Sequence, residues 1–450
     1  MATDFTRGKI TPELIRFTVP LVLGNIFQLL YNAADSVIVG RYVGKEALAA
    51  VGTSNPLMTL VILFFNGITL GAGILIGTHY GAKDYNTLRR QISTTMIGGG
   101  VFALAMSAVF IAAARPIFSL MQVEEGVLDL SVRYMRIIFL GLVFTFMYNC
   151  LASVMRAMGD STGPLVFLVA SAVLNVGGDL LFVAALRMGV MGAAVSTVMC
   201  EALSCAFCMG YIYWKVPLLR MGKEWFRFDK GLFKTTVAYG WTSAMQQATV
   251  QLGKIGIQTL VNTMGVTAMA AFTIVNRIDD FAYTPQQNIG HAMTSFMAIN
   301  RGAGLKDRMR EGFRKGMVIE LVYGGMICLV CLLFARPLVA LSTTDEKVIE
   351  AGVGYLRTIA LMYLLPAMTN GIQGFFRGLG DLKVTLISSM TNMGVRLLAA
   401  LALVMGMGHG MEALPWSYLA GWIGMLAVEV PKLRRELAAE QAEERGPASL

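Results

Sequence analysis

The chain has 450 residues, of which 56% are hydrophobic and 14% charged, and its mean hydropathy is +0.62. Soluble globular proteins carry about 25% charged residues, so this composition excludes an ordinary soluble domain. The net charge of +9 does not predict nucleic-acid binding, because the basic residues are spread over many loops instead of forming one patch.

Apolar stretches of roughly 20 residues or more, the length needed to cross a bilayer as a helix, follow one another along the whole chain. We predict twelve transmembrane spans, at residues 14–39, 47–78, 92–113, 127–154, 164–185, 190–213, 233–263, 267–298, 313–334, 348–375, 384–405 and 412–430. The sequence therefore predicts an all-α polytopic membrane protein.

The distribution of Lys and Arg predicts its orientation. An even number of spans places both termini on one side, and the loops on that side carry 25 of the 37 basic residues, against 9 in the opposite loops. This bias predicts cytoplasmic termini and a multi-pass protein of the inner (plasma) membrane. The polar start, MATDFTRGKI, predicts no cleavable signal peptide.

The first six spans contain three acidic residues, Asp35, Asp179 and Glu201. An ionisable group inside a membrane costs about 2.5–3.5 kcal/mol on insertion scales, so it predicts a functional site. Counted from the outer ends of their spans at about 1.5 Å per residue, Asp35, Asp179 and Thr197 lie at similar depth. Asn175 precedes Asp179 by four residues and shares its helix face. We therefore predict that these oxygen-bearing side chains meet.

Two carboxylates, an amide and a hydroxyl can bind a small cation or share a proton. We predict a cation or proton coupling site, whose ligands for Na⁺, if sodium is the ion, are Asp35, Asn175, Asp179 and Thr197. The alternative is that each acid pairs separately with a backbone donor or a lysine. The lack of a nearby basic residue in this half favours the coupling site. Three more residues of this half are assigned to a substrate cavity: Gln28, Asn32 and Glu201.

The second six spans differ in their polar residues. They contribute to the predicted substrate cavity amides and cations instead of acids: Gln247, Gln251, Lys254, Asn370, Gln373 and Arg396. For Arg396, binding of helix-end carbonyls is an equal alternative. We predict an N-terminal lobe at 1–213, a cytoplasmic linker at 214–232, a C-terminal lobe at 233–431 and a cytoplasmic tail at 432–450.

The two halves are copies of one unit. HYGAKD at 79–84 returns as NRGAGL, ARPIFSL at 114–120 returns as ARPLVAL, and RAMGD at 156–160 returns as RGLGD, each 221 residues later. Two six-helix lobes of the same orientation are related by a pseudo-two-fold axis along the membrane normal, as in parallel-repeat transporters, whose substrate cavity lies between the halves. This favours a transporter over the alternatives of a channel or a bare scaffold. In the repeat Asp35 corresponds to Gly256, so the scaffold does not require the acid.

The chain resembles the multidrug and toxic compound extrusion (MATE) family, within the superfamily that includes lipid-linked oligosaccharide flippases. The resemblance covers all twelve spans and rests on YNAADSVIVGRYVGKEALAAVG at 31–52, HYGAKD at 79–84, RAMGDS at 156–161, LNVGGDLLF at 174–182, GVMGAAVST at 189–197, and the later NRGAG and RGLGD.

The resemblance implies a cation-coupled antiporter that exports drugs and organic cations by rocking between outward and inward states. Members of the family bind Na⁺ or H⁺ through an acid on the first helix, an Asn and an Asp four apart on the fifth, and a Thr on the sixth. These match Asp35, Asn175, Asp179 and Thr197. Some members also use acids on the seventh and tenth helices, where this chain has amides, which leaves a second cation site open.

We therefore predict a secondary active efflux transporter, not an enzyme, that exchanges drugs, organic cations or amphiphiles for Na⁺ or H⁺ by alternating access. The alternative is a flippase for a lipid-linked oligosaccharide or another amphiphile. The predicted partners are a cationic or amphiphilic small molecule and the lipid bilayer. We predict a monomer that needs no cofactor beyond its coupling ion.

Overall fold

The computed structural model describes residues 3–220, 222–408 and 410–444. Within these ranges every regular element is a helix. The first half contains α1 (Ile10–Tyr42), α2 (Lys45–Gly81), α3 (Tyr85–Leu120), α4 (Glu125–Leu140), α5 (Leu142–Ala157), α6 (Thr162–Asp179) and α7 (Val190–Lys215). The second half contains α8 (Lys230–Val261), α9 (Val266–Gly302), α10 (Lys306–Leu333), α11 (Ala335–Ala340), α12 (Glu346–Ala360), α13 (Leu364–Gly378), α14 (Leu382–Leu401) and α15 (Leu414–Glu444).

The helices of the structure agree with the predicted all-α membrane fold. Eight of the described helices are each long and apolar enough to cross a membrane, and two bent pairs of helices raise the number to 10. The other two predicted spans correspond to α8 and α9, which have 32 and 37 residues. Both helices carry glutamines and charged residues, among them Gln247 on α8 and Arg277 on α9, which lower their apolar content. The all-helical twelve-span fold is confirmed.

Two predicted spans are bent. The predicted span 127–154 contains two helices, α4 and α5, which meet at 47° with Gly141 between them. Similarly, α12 and α13 meet at 49° within the predicted span 348–375. Pro366, near the start of α13, has no N–H to donate and therefore interrupts the helical hydrogen bonding there.

The same order of elements recurs in both halves, as the sequence repeat predicts. The bent pair occupies the fourth span of each half. A π-helical turn extends α6 at Leu180–Ala185, and another extends α14 at Ala402–Gly406. The repeat therefore preserves irregular features of the backbone as well as the helices.

The chain forms two compact units. Of the described residues, one unit contains Thr3 with those of 19–244, and the other contains 4–18 with those of 245–444. The start of α1 thus belongs to the second unit and the start of α8 to the first. The predicted lobe and linker boundaries stay predictions, and residues 445–450 of the predicted tail lie outside the described residues.

Arg308 fixes the N-terminal segment within the second unit. Its guanidinium donates to the backbone carbonyls of Phe5 at 2.7 Å and Arg7 at 2.6 Å, and it pairs with Glu13 at 3.1 Å. The Phe5 ring packs edge-on against Phe296 at 5.4 Å, so both polar and apolar contacts order this segment.

Candidate functional site

Two carboxyl groups meet inside the first unit. Asp35 of α1 and Asp179 at the end of α6 face one another within hydrogen-bonding reach, and Asp179 is 0% exposed. Ser196 lies beside Asp179, but its hydroxyl donates to the backbone carbonyl of Asn175 at 3.1 Å. Among the described residues, neither oxygen of Asp179 receives a hydrogen bond from a donor group. Facing carboxyl oxygens of this kind require a proton on one of them or a cation beside them.

An amide and a hydroxyl complete the oxygen cluster. The Asn175 Nδ2 atom donates to Thr197 Oγ1 at 3.5 Å and to Ser196 Oγ at 3.4 Å. The Thr197 hydroxyl donates to the carbonyl of Ala193 at 3.0 Å, and its oxygen, which accepts from Asn175, retains one lone pair for a further donor or ligand. The Asn175 Oδ1 atom has no donor in the described chain. The structure thus brings together Asp35, Asn175, Asp179 and Thr197, while their role in coupling stays a prediction.

Two residues beside the cluster were not predicted. Ser196 is 0% exposed, and its hydroxyl lies near enough to the Asp179 carboxyl to interact with it. Tyr134 of α4 is buried and lies near enough to both carboxyl groups to interact with their charges. Its only sequence signal is the motif YMR at 134–136, which returns as YLR at 355–357.

Glu201 adds a third acid on α7, one helical turn beyond Thr197. Thr145 of α5 donates a short hydrogen bond to its carboxylate. Tyr31 of α1 lies near enough to Glu201 and Asp35 to interact with the charges of both. No described Lys or Arg pairs with Glu201, Asp35 or Asp179. The first unit therefore holds an uncompensated acidic site.

The two remaining predictions for this half lie at its margin. Gln28 is exposed and its side chain contacts the Tyr31 hydroxyl. Asn32 is exposed, and its backbone carbonyl accepts a hydrogen bond from Ser36 at 3.0 Å. Both lie on α1 within one turn of Tyr31, and their assignment to a substrate cavity stays a prediction.

The second unit contains a polar cavity of about 200 Å³. Side chains of α8, α9, α13, α14 and α15 line it, and four of the residues predicted for a substrate cavity are among them: Gln247, Asn370, Gln373 and Arg396. The cavity also contains one acid, Asp279, and a second arginine, Arg377. Sequence reasoning identified the amides but missed Arg377, which it assigned to a cytoplasmic loop.

Amide and hydroxyl groups join α8, α13 and α14 beside this cavity. Gln246 Nε2 donates to Gln373 Oε1 at 3.1 Å and to Ser389 Oγ at 3.1 Å. Arg377 Nη2 also donates to Gln373 Oε1, at 2.8 Å. Gln373 is therefore engaged in holding the three helices, and its amide oxygen already accepts two hydrogen bonds.

Gln251 and Lys254 lie outside the lining of this cavity. Both are exposed, and Lys254 forms an ion pair with Asp280 at 3.2 Å. For Arg396, the alternative of binding helix-end carbonyls is not seen, because no carbonyl in the described chain accepts from it. Its guanidinium instead lies against the Tyr418 ring, 2.9 Å from the centroid.

The chemistry of these sites is that of hard oxygens and hydrogen bonds. No group of three or more His, Cys, Asp or Glu that could hold a metal ion occurs in the described residues. The oxygen cluster of the first unit instead combines two carboxylates with an amide and hydroxyls, a set that suits a proton or a small hard cation.

Comparison with known proteins gives consistent matches. The MatE family model matches residues 20–181 and 243–401. The probable multidrug resistance protein YoeA of Bacillus subtilis is 29% identical over 88% of this chain and 89% of its own length. The probable multidrug resistance protein NorM of Thermotoga maritima is 24% identical over 93% of this chain and 89% of its own.

A solved structure shares the fold. An outward-facing multidrug resistance MATE family transporter of the MOP superfamily superposes with a TM-score of 0.88 at 21% identity, and the match covers 98% of this chain and 99% of the other. At this identity the likeness establishes the arrangement of helices alone.

Proposed function

The chain belongs to the MATE family of transporters, within the MOP superfamily, and from this premise we propose that it exports drugs, organic cations or amphiphiles in exchange for Na⁺ or H⁺. Its curated relatives YoeA and NorM carry names that describe multidrug resistance. The proposal places the transporter in the plasma membrane as a monomer and needs no cofactor beyond the coupling ion.

The observation that carries the proposal is the facing pair Asp35 and Asp179. Two carboxylates in a low-dielectric interior repel each other strongly. A proton or Na⁺ at the pair removes that repulsion, and the Asn175 and Thr197 oxygens are placed to serve as further ligands. Both ions therefore suit the site, and the choice between them belongs to the experiment.

Coupling requires that the ion bind one conformation more tightly than the other, because a ligand shifts a conformational equilibrium only through its differential affinity. Asp35 is on α1, whereas Asp179 and Thr197 are on α6 and α7. An ion held jointly by these helices favours the conformation in which α1 lies against them. Release of the ion frees α1 to move, and substrate export follows the cycle of these two states.

The test is efflux from proteoliposomes that contain the purified full-length chain. The lumen is loaded with ethidium, a small organic cation, and a Na⁺ gradient and a pH gradient are imposed separately. The proposal expects accelerated efflux under one or both gradients and none beyond the leak in protein-free liposomes. Efflux that responds to neither gradient contradicts the antiporter assignment.

A flippase for a lipid-linked oligosaccharide or another amphiphile is the second candidate. The observation that favours it is the pair of arginines, Arg377 and Arg396, in the cavity of the second unit, since arginine suits phosphate groups. Transfer of a fluorescent phospholipid between leaflets, measured by dithionite quenching, distinguishes it. Lipid transfer without ethidium efflux supports the flippase.

A further inference from the structure

The cavity of the second unit holds a buried cation without a hydrogen-bonding partner. Arg396 of α14 is 8% exposed and lines the cavity. In the chain as described, no acceptor contacts its guanidinium, and its Nε atom is fully enclosed. A guanidinium offers five N–H donors, and its burial is costly unless those donors are paired. The Tyr418 ring compensates only part of that cost.

Two other donors lining the same cavity also lack acceptors. Arg377 uses Nη2 for Gln373, but its Nε has no acceptor among the described atoms, and neither has Asn370 Nδ2. The Asn370 Oδ1 atom is already bonded to the Tyr283 hydroxyl at 3.4 Å, which fixes the amide so that its donor end is the free one. Side chains of α13 and α14 that line one cavity thus contain three enclosed donor groups without acceptors among the described residues.

Nearby acids do not neutralise Arg396. Asp279 is the one acid in the described lining, and it acts on Arg396 only through space, without an ion pair among the described residues. Glu429 lies outside the lining, accepts from Ser388 at 2.8 Å, and interacts with Arg377 instead of Arg396. The positive charge of Arg396 is therefore the least compensated in this cavity.

The opposite chemistry prevails in the first unit, where three acids have no cationic partner. A cation is thus suited to the first unit and an anion to the cavity of the second. The cavity lining adds apolar surface through Met393, Tyr418 and Trp422. A volume of about 200 Å³ accommodates a compact charged head with a short aromatic or alkyl portion.

We propose that this cavity binds the anionic head, a phosphate or carboxylate, of an amphiphilic substrate, with Arg396 as its principal donor. Arg377 adds a second positive charge to the lining of the same cavity. The identification of the ligand as transported substrate rests on the proposed function, but the binding site itself does not, because equilibrium binding is measured without ion gradients or transport.

The experiment measures binding to the full-length protein in phosphatidylcholine nanodiscs by isothermal titration calorimetry. Phenyl phosphate is compared with phenyltrimethylammonium, which has a similar ring and the opposite charge. We expect phenyl phosphate to bind the wild-type protein, and Arg396→Gln to weaken that binding at least about tenfold, the usual effect of losing a charged hydrogen bond. Arg314→Gln, which removes an exposed arginine of the same unit, is the matched control and should leave binding unchanged.

Arg396→Lys keeps the charge but loses the planar donor group, so its affinity should fall between those of the wild type and Arg396→Gln. If Arg396→Gln does not fold, as judged by size-exclusion chromatography and thermal unfolding, the Arg396→Lys variant provides the test of the proposal. Absence of phenyl phosphate binding, or equal binding to the wild type and both variants, overturns the proposal. Efflux of ethidium in the proteoliposome assay is unaffected by that outcome, so the two failures are distinguishable.

A second arm identifies the source of the anion. The titration is repeated in nanodiscs that contain phosphatidylglycerol. If the anionic lipid lowers the apparent affinity for phenyl phosphate in the wild type and not in Arg396→Lys, the site takes a lipid headgroup. If the affinity is unchanged, the site takes a soluble anionic amphiphile. Either result supports an anion site at Arg396.

Discussion

At the scale of single residues, the proposed ion coupling rests on the facing pair Asp35 and Asp179 of the first unit. Each acid is expensive to place inside a membrane, and placing them face to face adds their mutual repulsion. Neither cost is offset by a described lysine or arginine. We therefore propose that a proton or cation at the pair stabilises this arrangement relative to its empty, doubly ionised state.

We predict that Asp35→Asn and Asp179→Asn each abolish gradient-driven efflux while the protein still inserts and folds. An amide cannot ionise, so it removes both the proton acceptor and the charge that would hold Na⁺. Ethidium efflux from proteoliposomes should fall to the leak of protein-free liposomes, and thermal unfolding should occur at the wild-type temperature or above, because like-charge repulsion is lost.

Asp129→Asn is the control for this prediction, because Asp129 is 62% exposed and forms a surface pair with Arg115. Such pairs contribute little to stability, and efflux should be unchanged. Wild-type coupled efflux in either Asp35→Asn or Asp179→Asn would show that ion coupling occurs elsewhere.

Ser196 provides a second prediction at this scale. Its hydroxyl links α7 to the backbone of α6 at Asn175, directly beside the Asp179 carboxyl. We predict that Ser196→Ala slows coupled efflux about fivefold, equivalent to the loss of one hydrogen bond of about 1 kcal/mol. The measurement is the initial rate of efflux at fixed protein content.

Thr197→Ser is the companion variant, because it retains the hydroxyl at the neighbouring position. It should keep the wild-type rate. A Ser196→Ala protein that transports as fast as the wild type would limit the coupling site to the four residues found from the sequence.

At the scale of helices, small residues allow close packing within the first unit. On α2, Gly67 and Gly71 are four residues apart, and they contact Ala244 and Gly240, also four apart, on α8. A Cβ atom placed on Gly71 would lie 2.7 Å from the backbone N of Gly240. Spacings of this kind allow helix backbones in membranes to approach closely.

We predict that Gly71→Ala destabilises the protein by about 1–3 kcal/mol, because the added methyl meets backbone atoms that cannot rotate away. Apparent thermal unfolding in detergent is the measurement. Gly100→Ala on α3 is the matched control, since a Cβ there meets nothing within 4 Å, and it should be neutral or stabilising by up to about 1 kcal/mol. Equal unfolding temperatures for the two variants would contradict close packing of α2 against α8.

The π-helical turn after α6 also belongs to this scale. It begins at Leu180, directly after Asp179, and its counterpart after α14 begins at Ala402. π-helical turns are frequent at functional sites, but here both halves have one and only the first half has the acid. The turn is therefore a property of the repeated unit and does not by itself indicate the proposed coupling site.

At the scale of the whole molecule, the loop charges make a prediction about orientation. The bias of lysine and arginine toward the loops on the side of the termini favours a cytoplasmic position for those loops. Ala82, in the loop between α2 and α3, and Lys45, at the start of α2, are both exposed and lie at opposite ends of the same helix.

We predict that a membrane-impermeant maleimide added to intact cells labels Lys45→Cys and does not label Ala82→Cys. Permeabilised cells should show labelling at both positions. The background is the Cys328→Ser protein, because the other five native cysteines are buried. Labelling of Ala82→Cys alone in intact cells would reverse the predicted orientation.

The sequence by itself determined the membrane class, the helical repeat and the members of the oxygen cluster. Apolar length and loop charge are local properties of the chain, and the 221-residue offset is visible without coordinates. The depths of Asp35, Asp179 and Thr197 follow from helical rise alone, so their proximity could be predicted before any packing was known.

Only the tertiary structure decided which side chains surround those groups. Helices that are distant in sequence pack against one another, and this packing sets the rotamers of their side chains. It determines the two bends and the positions of Ser196 and Tyr134 beside the carboxyl pair. It also determines that the Arg396 donors stay unpaired in their cavity. The pattern of residues along the sequence does not indicate these contacts. Arg396 could be read from the sequence as a cation inside a span, but whether a carbonyl, an acid or no group at all would meet it was decided by the fold.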